Sequence, residues 1–156
     1  MYPSGNKAVV TGGAGFIGSH LVDRLLADGC GEVVVFDDLS RGTLRNLSAH
    51  QGHPRLHILR GDVRDATAVA KAMQGASVVF HLGAQSTVAA ALQDEEHTFT
   101  TNVVGTFNVL RAAARAGVRR LIFTSSRQVY GEPIALPVDE DHPLMAVDPY
   151  GASKAA

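Results

Sequence analysis

Lys7-Ala-Val-Val-Thr-Gly-Gly-Ala-Gly-Phe-Ile-Gly18 is the stretch whose reading decides the fold. Ala8-Val9-Val10 is short, apolar and β-branched, as a strand covered on both faces must be. Gly13, Gly15 and Gly18 satisfy G-x-G-x-x-G, and Gly12, Gly15 and Gly18 also satisfy G-x-x-G-x-x-G. Set between a strand and a helix, this is the dinucleotide-binding fingerprint. One glycine permits the tight turn, one lets a pyrophosphate lie against the backbone, and one lets helix and strand pack closely. Phe16, Ile17 and Gly18 open the helix, whose N–H groups and positive dipole end face the phosphates.

Working outward, Glu32-Val-Val-Val-Phe-Asp37 reads as the next strand and ends about 20 residues beyond the glycines, where a ribose-binding acid is expected. A carboxylate at Asp37 accepts bonds from the adenosine ribose hydroxyls and repels a 2′-phosphate, which favours NAD over NADP. Asp38 follows it at the rim. Arg41 is the counter-signal, since it could pair with such a phosphate, but its place in the loop behind the two acids reads as a solvated charge.

The alternation of strand and helix continues without a linker or repeat. Phe16 to Ala27 is the first helix, with Ile17, Leu21, Leu25 and Leu26 as its apolar face and Gly29 as its stop. Leu56 to Leu59 is a third strand, and Asp65 caps a helix from Ala66 to Met73. Ser77 to Leu82 is a fourth strand. One long helix is expected from about Glu95 to Ala116, with Phe99, Val103, Phe107, Leu110 and Ala114 along its apolar side. Val118 to Ser125 is the fifth strand. The result is an α/β fold, a doubly wound parallel sheet of order 3-2-1-4-5.

Composition narrows the function classes. At 156 residues the chain suits one domain with a substantial core. A net charge of −1 argues against nucleic acid or an anionic membrane as partner. The absence of a long apolar run or a signal-like N-terminus points to a cytoplasmic protein. Cys30 is the only cysteine and reads as an inert thiol. The seven histidines show no ligand spacing, so no metal is expected.

The last constellation is Tyr150-Gly-Ala-Ser-Lys154. Four apart on a helix, the Lys154 ammonium can approach the Tyr150 phenol. A free tyrosine titrates near 10, and a neighbouring cation lowers that value toward the range useful for acid–base chemistry.

The chain resembles the extended short-chain dehydrogenase/reductases, in particular the NAD-dependent nucleotide-sugar epimerase/dehydratase family. The resemblance is carried by Thr11-Gly-Gly-Ala-Gly-Phe-Ile-Gly18, Asp37-Asp38, Gly61-Asp62-Val63, His81-Leu-Gly-Ala-Gln85, Asn102, Thr124-Ser-Ser-Arg-Gln-Val-Tyr-Gly131 and Pro149-Tyr-Gly-Ala-Ser-Lys154, in the family's order. It implies that Asp62 and Val63 hold the adenine and that Leu82, Gly83 and Ala84 line the cofactor channel. It implies that Asn102 props the neighbouring strands. It makes Ser126, Tyr150 and Lys154 the catalytic set, with Tyr150 and Lys154 also touching the cofactor. The implied reaction is hydride transfer through a transient keto-sugar. Tyr150 exchanges the proton of a sugar hydroxyl, Ser126 holds the same oxygen, and Lys154 binds the nicotinamide ribose.

Two departures bear on what to expect. Gly83 stands where the family usually has Ala, which leaves more room. The family also continues well past Tyr-x-x-x-Lys, so the expectation is an incomplete NAD-binding Rossmann domain over residues 1–156. It would lack the substrate-binding region and be inactive by itself. The helix of the Tyr-Lys pair has barely begun at the chain end, so residues after about Gly131 are expected to be poorly held. Related 4,6-dehydratases carry Asp and Glu directly after the catalytic Thr, whereas Arg127 and Gln128 stand here. Three readings result: a UDP-hexose 4-epimerase type of enzyme, homodimeric when complete; a keto-sugar or carbonyl reductase; and a non-catalytic NAD-binding module.

Overall fold

The computed structural model describes residues 5–156, which form two compact units: residues 5–83 with 105–124, and residues 84–104 with 125–156.

The first unit is a parallel sheet of five strands: β1 (Lys7–Thr11), β2 (Glu32–Asp37), β3 (Leu56–Arg60), β4 (Val78–His81) and β5 (Arg120–Phe123). Their order is β3-β2-β1-β4-β5, as the motif reading requires. Val9 pairs with Val34 on one side and Val79 on the other. Successive side chains of a strand point to opposite faces, and this divides the apolar runs between two cores. Ala8, Val10, Val33, Val35, Val78 and Phe80 pack with Val22, Leu25 and Leu26 of α1 (Phe16–Ala27). Val9, Val34, Phe36 and Val79 pack on the other face with Val69 and Met73, and with Val109, Ala112 and Ala113. These last five belong to α2 (Ala66–Ala72), its C-cap Met73, and a later helix, Gly105–Arg115. A sheet covered on both faces is why the central strands carry no polar alternation. A 3₁₀ turn, Leu44–His50, capped by Thr43, lies between β2 and β3.

The second unit is helical. It contains α3 (Val88–Gln93), capped by Thr87, and α4 (Glu95–Phe99), capped by Asp94. A π-helical turn (Thr100–Val104) follows. Further along come a 3₁₀ turn (Arg127–Val129) and a helix over Pro149–Ala155.

The long helix expected from Glu95 to Ala116 is therefore not one regular element. It divides into α4, the π turn and α5 (Gly105–Arg115). Thr98 Oγ1 donates to the Asp94 carbonyl at 2.9 Å, and Thr100 Oγ1 to those of Glu96 (2.8 Å) and His97 (3.2 Å). Hydroxyls that bond back onto the preceding turn loosen the helical ladder. The expected apolar side is also displaced. Phe99, Phe107 and Leu110 are exposed, whereas Thr98, Asn102, Gly105, Asn108, Val109, Ala112 and Ala113 are buried. Small residues face inward because the approach is close: a Cβ on Gly105 would lie 2.6 Å from Val63 Cγ2.

The stretch after Gly131, expected to be poorly held, builds a defined helix α6 (Pro149–Ala155). Asp148 caps it by accepting from the Gly151 N–H at 2.8 Å, and Pro149 starts it with a preset φ. Gly151, Ser153 and Lys154 are buried, and α6 packs on α3, α4 and both turns of its unit.

Candidate functional site

In the first unit the glycine loop follows β1. Gly12 adopts φ +69°, and a Cβ there would sit 2.8 Å from the Gly83 nitrogen. At Gly18 a Cβ would lie 2.2 Å from the Gly12 carbonyl oxygen, so helix α1 starts in direct contact with the loop. Gly15 differs, since a Cβ there would meet only the Gly12 carbonyl, at 3.2 Å. Helix α1 begins at this open position with no side-chain cap and no acidic residue in its first turn. Phe16 and Ile17 hold their side chains outward, at 78% and 65% exposure. What they turn to the loop is backbone, the arrangement an anion at a helix N-terminus requires.

Asp37 stands at the end of β2 and is 7% exposed. Its Oδ2 accepts from the Ala14 N–H and its Oδ1 from the Leu39 N–H, both at 2.9 Å. A carboxylate has about four acceptor positions, so room remains for ribose hydroxyls. Asp37 thus fixes the glycine loop as well as offering charge. It also steadies Leu39, which sits at φ +64°, a region costly for a residue with a side chain. Asp38 bonds locally to the Ser40 N–H and hydroxyl. Arg41 is exposed.

After β3, Asp62 is already engaged by Arg64. The guanidinium reaches Asp62 Oδ2 at 2.6 Å, and the Arg64 N–H reaches Oδ1 at 2.8 Å. The Val63 side chain belongs to the core, and its carbonyl accepts from Asn108 Nδ2 at 3.2 Å.

The end of β4 contains a buried network that motif reading did not assign. Thr11 Oγ1 accepts from the Gly83 N–H (3.0 Å) and shares the Leu82 N–H (3.2 Å) with its own carbonyl. Its proton is then directed to His81 Nδ1, at 2.6 Å, and His81 Nε2–H donates to Thr106 Oγ1 at 2.9 Å. The network thereby selects the Nε2–H tautomer and brackets Leu82 and Gly83 beside Gly12. The room expected at Gly83 does not open outward. A Cβ there would point at Thr11, 3.2 Å from its hydroxyl.

The second unit holds Ala84 and all three candidate catalytic side chains. Ser126 caps its 3₁₀ turn by accepting from the Gln128 N–H at 3.2 Å, which leaves the hydroxyl proton to donate. Tyr150 and Lys154 lie one turn apart on α6. Tyr150 is half-buried. Lys154 is 8% exposed, and burial lowers its pKa from 10.5 to about 8. Asn102, 2% exposed, exchanges two bonds with the Gln85 backbone and donates to Ser153 Oγ at 2.8 Å. Ser153 Oγ in turn donates to the Tyr150 carbonyl at 2.7 Å. Asn102 therefore ties α6 to the segment after Gln85, rather than propping strands.

The open face at Gly15, the uncapped start of α1 and the spare acceptor positions of Asp37 fit a dinucleotide. The model of the NAD dependent epimerase/dehydratase family matches residues 8–156. The chain belongs to this family. A UDP-glucose 4-epimerase of Mycolicibacterium smegmatis is 45% identical over 152 residues, which are 96% of this chain and 48% of the relative. Among solved structures, the UDP-N-acetylglucosamine 4-epimerase from Methanobrevibacter ruminantium M1, in complex with UDP-N-acetylmuramic acid, superposes with a TM-score of 0.91 at 34% identity. That match covers 98% of this chain and 48% of the other. DesIV, a dTDP-glucose 4,6-dehydratase from Streptomyces venezuelae with NAD and TYD bound, gives 0.91 at 39% identity and covers 96% and 48%. The chain spans about half the length of the curated relatives it matches. Among the described residues, no helix is long and apolar enough to cross a membrane.

Proposed function

We propose that this chain supplies the NAD-binding part and the Ser/Tyr/Lys set of a nucleotide-sugar 4-epimerase of the UDP-hexose type. The observation that carries the reading is Lys154, a buried amine one helical turn from Tyr150 with its pKa lowered to about 8. A lysine amine buried one turn from a tyrosine on the same helix is the side-chain pairing the proposed proton exchange calls for.

The residues that would hold NAD are the backbone of Gly12, Gly15, Phe16, Ile17 and Gly18 at the phosphates, Asp37 and Asp38 at the ribose, and Asp62 and Val63 at the adenine. Leu82, Gly83 and Ala84 would line its channel, and Lys154 would bind the second ribose. When bound, NAD supplies reversible two-electron oxidation of the sugar carbon. Tyr150 takes the proton from the sugar hydroxyl and later returns it. Ser126 donates a hydrogen bond to the same oxygen and orients it. Neither Arg127 nor Gln128 can serve as the carboxyl acid–base pair of a dehydration at neutral pH. The complete enzyme is expected to be a homodimer, with the helix of Tyr150 and Lys154 at or near its interface.

The test is to incubate a form as long as the family's complete enzymes with UDP-glucose and follow UDP-galactose by proton NMR, the 156-residue chain alone being expected inactive. Interconversion without net NADH is the expected result. A 4-keto-6-deoxy product refutes the reading in favour of dehydration. Stoichiometric consumption of NADH supports a reductase, and binding of NAD with no turnover supports a non-catalytic module.

A further inference from the structure

The 3₁₀ turn after Ser126 is joined at three points to the start of α6 and the segment leading into it. The Val129 carbonyl accepts from the Met145 N–H at 2.9 Å. Gly151 comes so near the Gln128 carbonyl that a Cβ there would lie 2.4 Å from its oxygen. The third link is a side-chain bond, with Gln128 Nε2 donating to Asp148 Oδ2 at 3.1 Å. Asp148 uses its other oxygen to cap α6 through the Gly151 N–H. One carboxylate therefore serves the helix cap and the Ser126 turn together. A carboxylate offers only acceptors, so the group facing it must be a donor.

We propose that Gln128 is a positioning residue that sets Ser126 against Tyr150 through Asp148, and that Asp148 is what requires an amide at position 128. The proposal rests on the reading of Tyr150 as the acid–base group and Ser126 as the hydroxyl that holds the same substrate oxygen. It also explains how position 128, where related dehydratases carry Glu, is constrained in this chain. A glutamate would set a second carboxylate at the same distance from Asp148, and two ionised carboxylates so close repel each other at neutral pH. The acid cannot be introduced alone. Asp148 must change with it, to an asparagine that still caps Gly151 through Oδ1 while its Nδ2 donates to the new carboxylate.

The test compares the protein with Gln128→Glu, Asp148→Asn and the double variant. The first readout is hydrogen exchange of the Gly151 amide, which is independent of turnover. Gln128→Glu should speed that exchange by about tenfold or more near neutral pH, a size ordinary for coupled neighbours. The acceleration should shrink near about pH 5, where the two acids share a proton. The double variant should return to within about threefold of the unmodified protein. The second readout is kinetic, in a form as long as the family's complete enzymes: Gln128→Glu lowers kcat with little change in KM, and Asp148→Asn added to it restores kcat. Exchange in Gln128→Glu equal to that of the unmodified protein, or a double variant no better than the single one, overturns the proposal. If the exchange rates couple as stated while the full-length form turns over no nucleotide sugar, the clamp stands and the catalytic reading fails.

Discussion

Asp37→Ala separates two roles that one carboxylate performs. The Asp37 bond to the Ala14 N–H joins two buried groups, at 7% and 0% exposure, so its loss costs the full worth of a charge-assisted hydrogen bond, about 1.5–3 kcal/mol. The bond to the half-buried Leu39 N–H is partly replaced by water and adds roughly 1 kcal/mol. The sum is about 3 kcal/mol of unfolding free energy. With a urea dependence of about 2 kcal/mol per molar, that moves the midpoint down by roughly 1.5 M. Cofactor affinity should fall separately, in conditions where the variant stays folded, by about 10- to 150-fold for the lost ribose bonds. Discrimination against NADP should narrow with it. Asp37→Asn keeps one acceptor oxygen and should fall between the two proteins in stability. Urea unfolding followed by circular dichroism measures the first effect and isothermal calorimetry the second. A midpoint shift below about 0.3 M for Asp37→Ala would refute the stability argument, since the two backbone bonds would then contribute nothing.

Lys154 makes stability pH-dependent. With a folded pKa of about 8 against 10.5, the unfolded chain binds more protons between those values, so this residue's contribution to stability rises with pH across that window. Below about pH 8 its burial costs up to roughly 3 kcal/mol, so Lys154→Met should unfold at higher urea than the unmodified protein at pH 7, with the gap closing toward pH 10.5. Equal midpoints at pH 7 would count against it. Thr11→Val removes the acceptor of the Gly83 and Leu82 amides and the donor to His81; it should destabilise by at least about 2 kcal/mol, and Thr11→Ser should recover most of that. Nitrogen NMR of His81 should report the Nε2–H tautomer, and the opposite tautomer would show the bond assignment to be wrong. Gly83→Ala pushes its Cβ toward Thr11 by a few tenths of an ångström, so unfolding should change by less than about 1 kcal/mol and NAD affinity hardly at all.

Sequence reading served best where one residue type has one physical meaning. The runs around Val9, Val34 and Val79 could only be strands buried on both faces, and the glycines of the first loop placed α1 from Phe16 to Ala27. It failed on the segment after Glu95. There the three aromatic and leucine side chains Phe99, Phe107 and Leu110 face outward while Asn102 and Asn108 face inward. Periodicity weighs hydrophobicity alone, and it cannot know that buried amides have partners at Gln85 and Ser153, or at Val63 and Arg64. The chemistry was partly legible for the same reason. Tyr150 and Lys154 could be singled out by their spacing and Ser126 only through the family resemblance, but the supports of Ser126 and Tyr150, Gln128, Asp148 and Ser153, are ordinary polar residues until the fold brings their atoms together.

Ala14 illustrates what the glycine loop gains from its neighbours. Its N–H is held by Asp37, and its carbonyl accepts from the Thr43 N–H at 3.0 Å and from Asn46 Nδ2 at 2.8 Å. Gly12 N–H is fixed on the Phe36 carbonyl at 2.9 Å, and Gly15 N–H on that of Gly12 at 3.1 Å. A segment this rich in glycine has the most backbone freedom to lose, yet that freedom is removed when the sheet forms. A phosphate reaching the loop therefore meets a finished socket. Little ordering entropy opposes its binding, and its arrival is governed by diffusion and orientation rather than by the closing of a mobile loop.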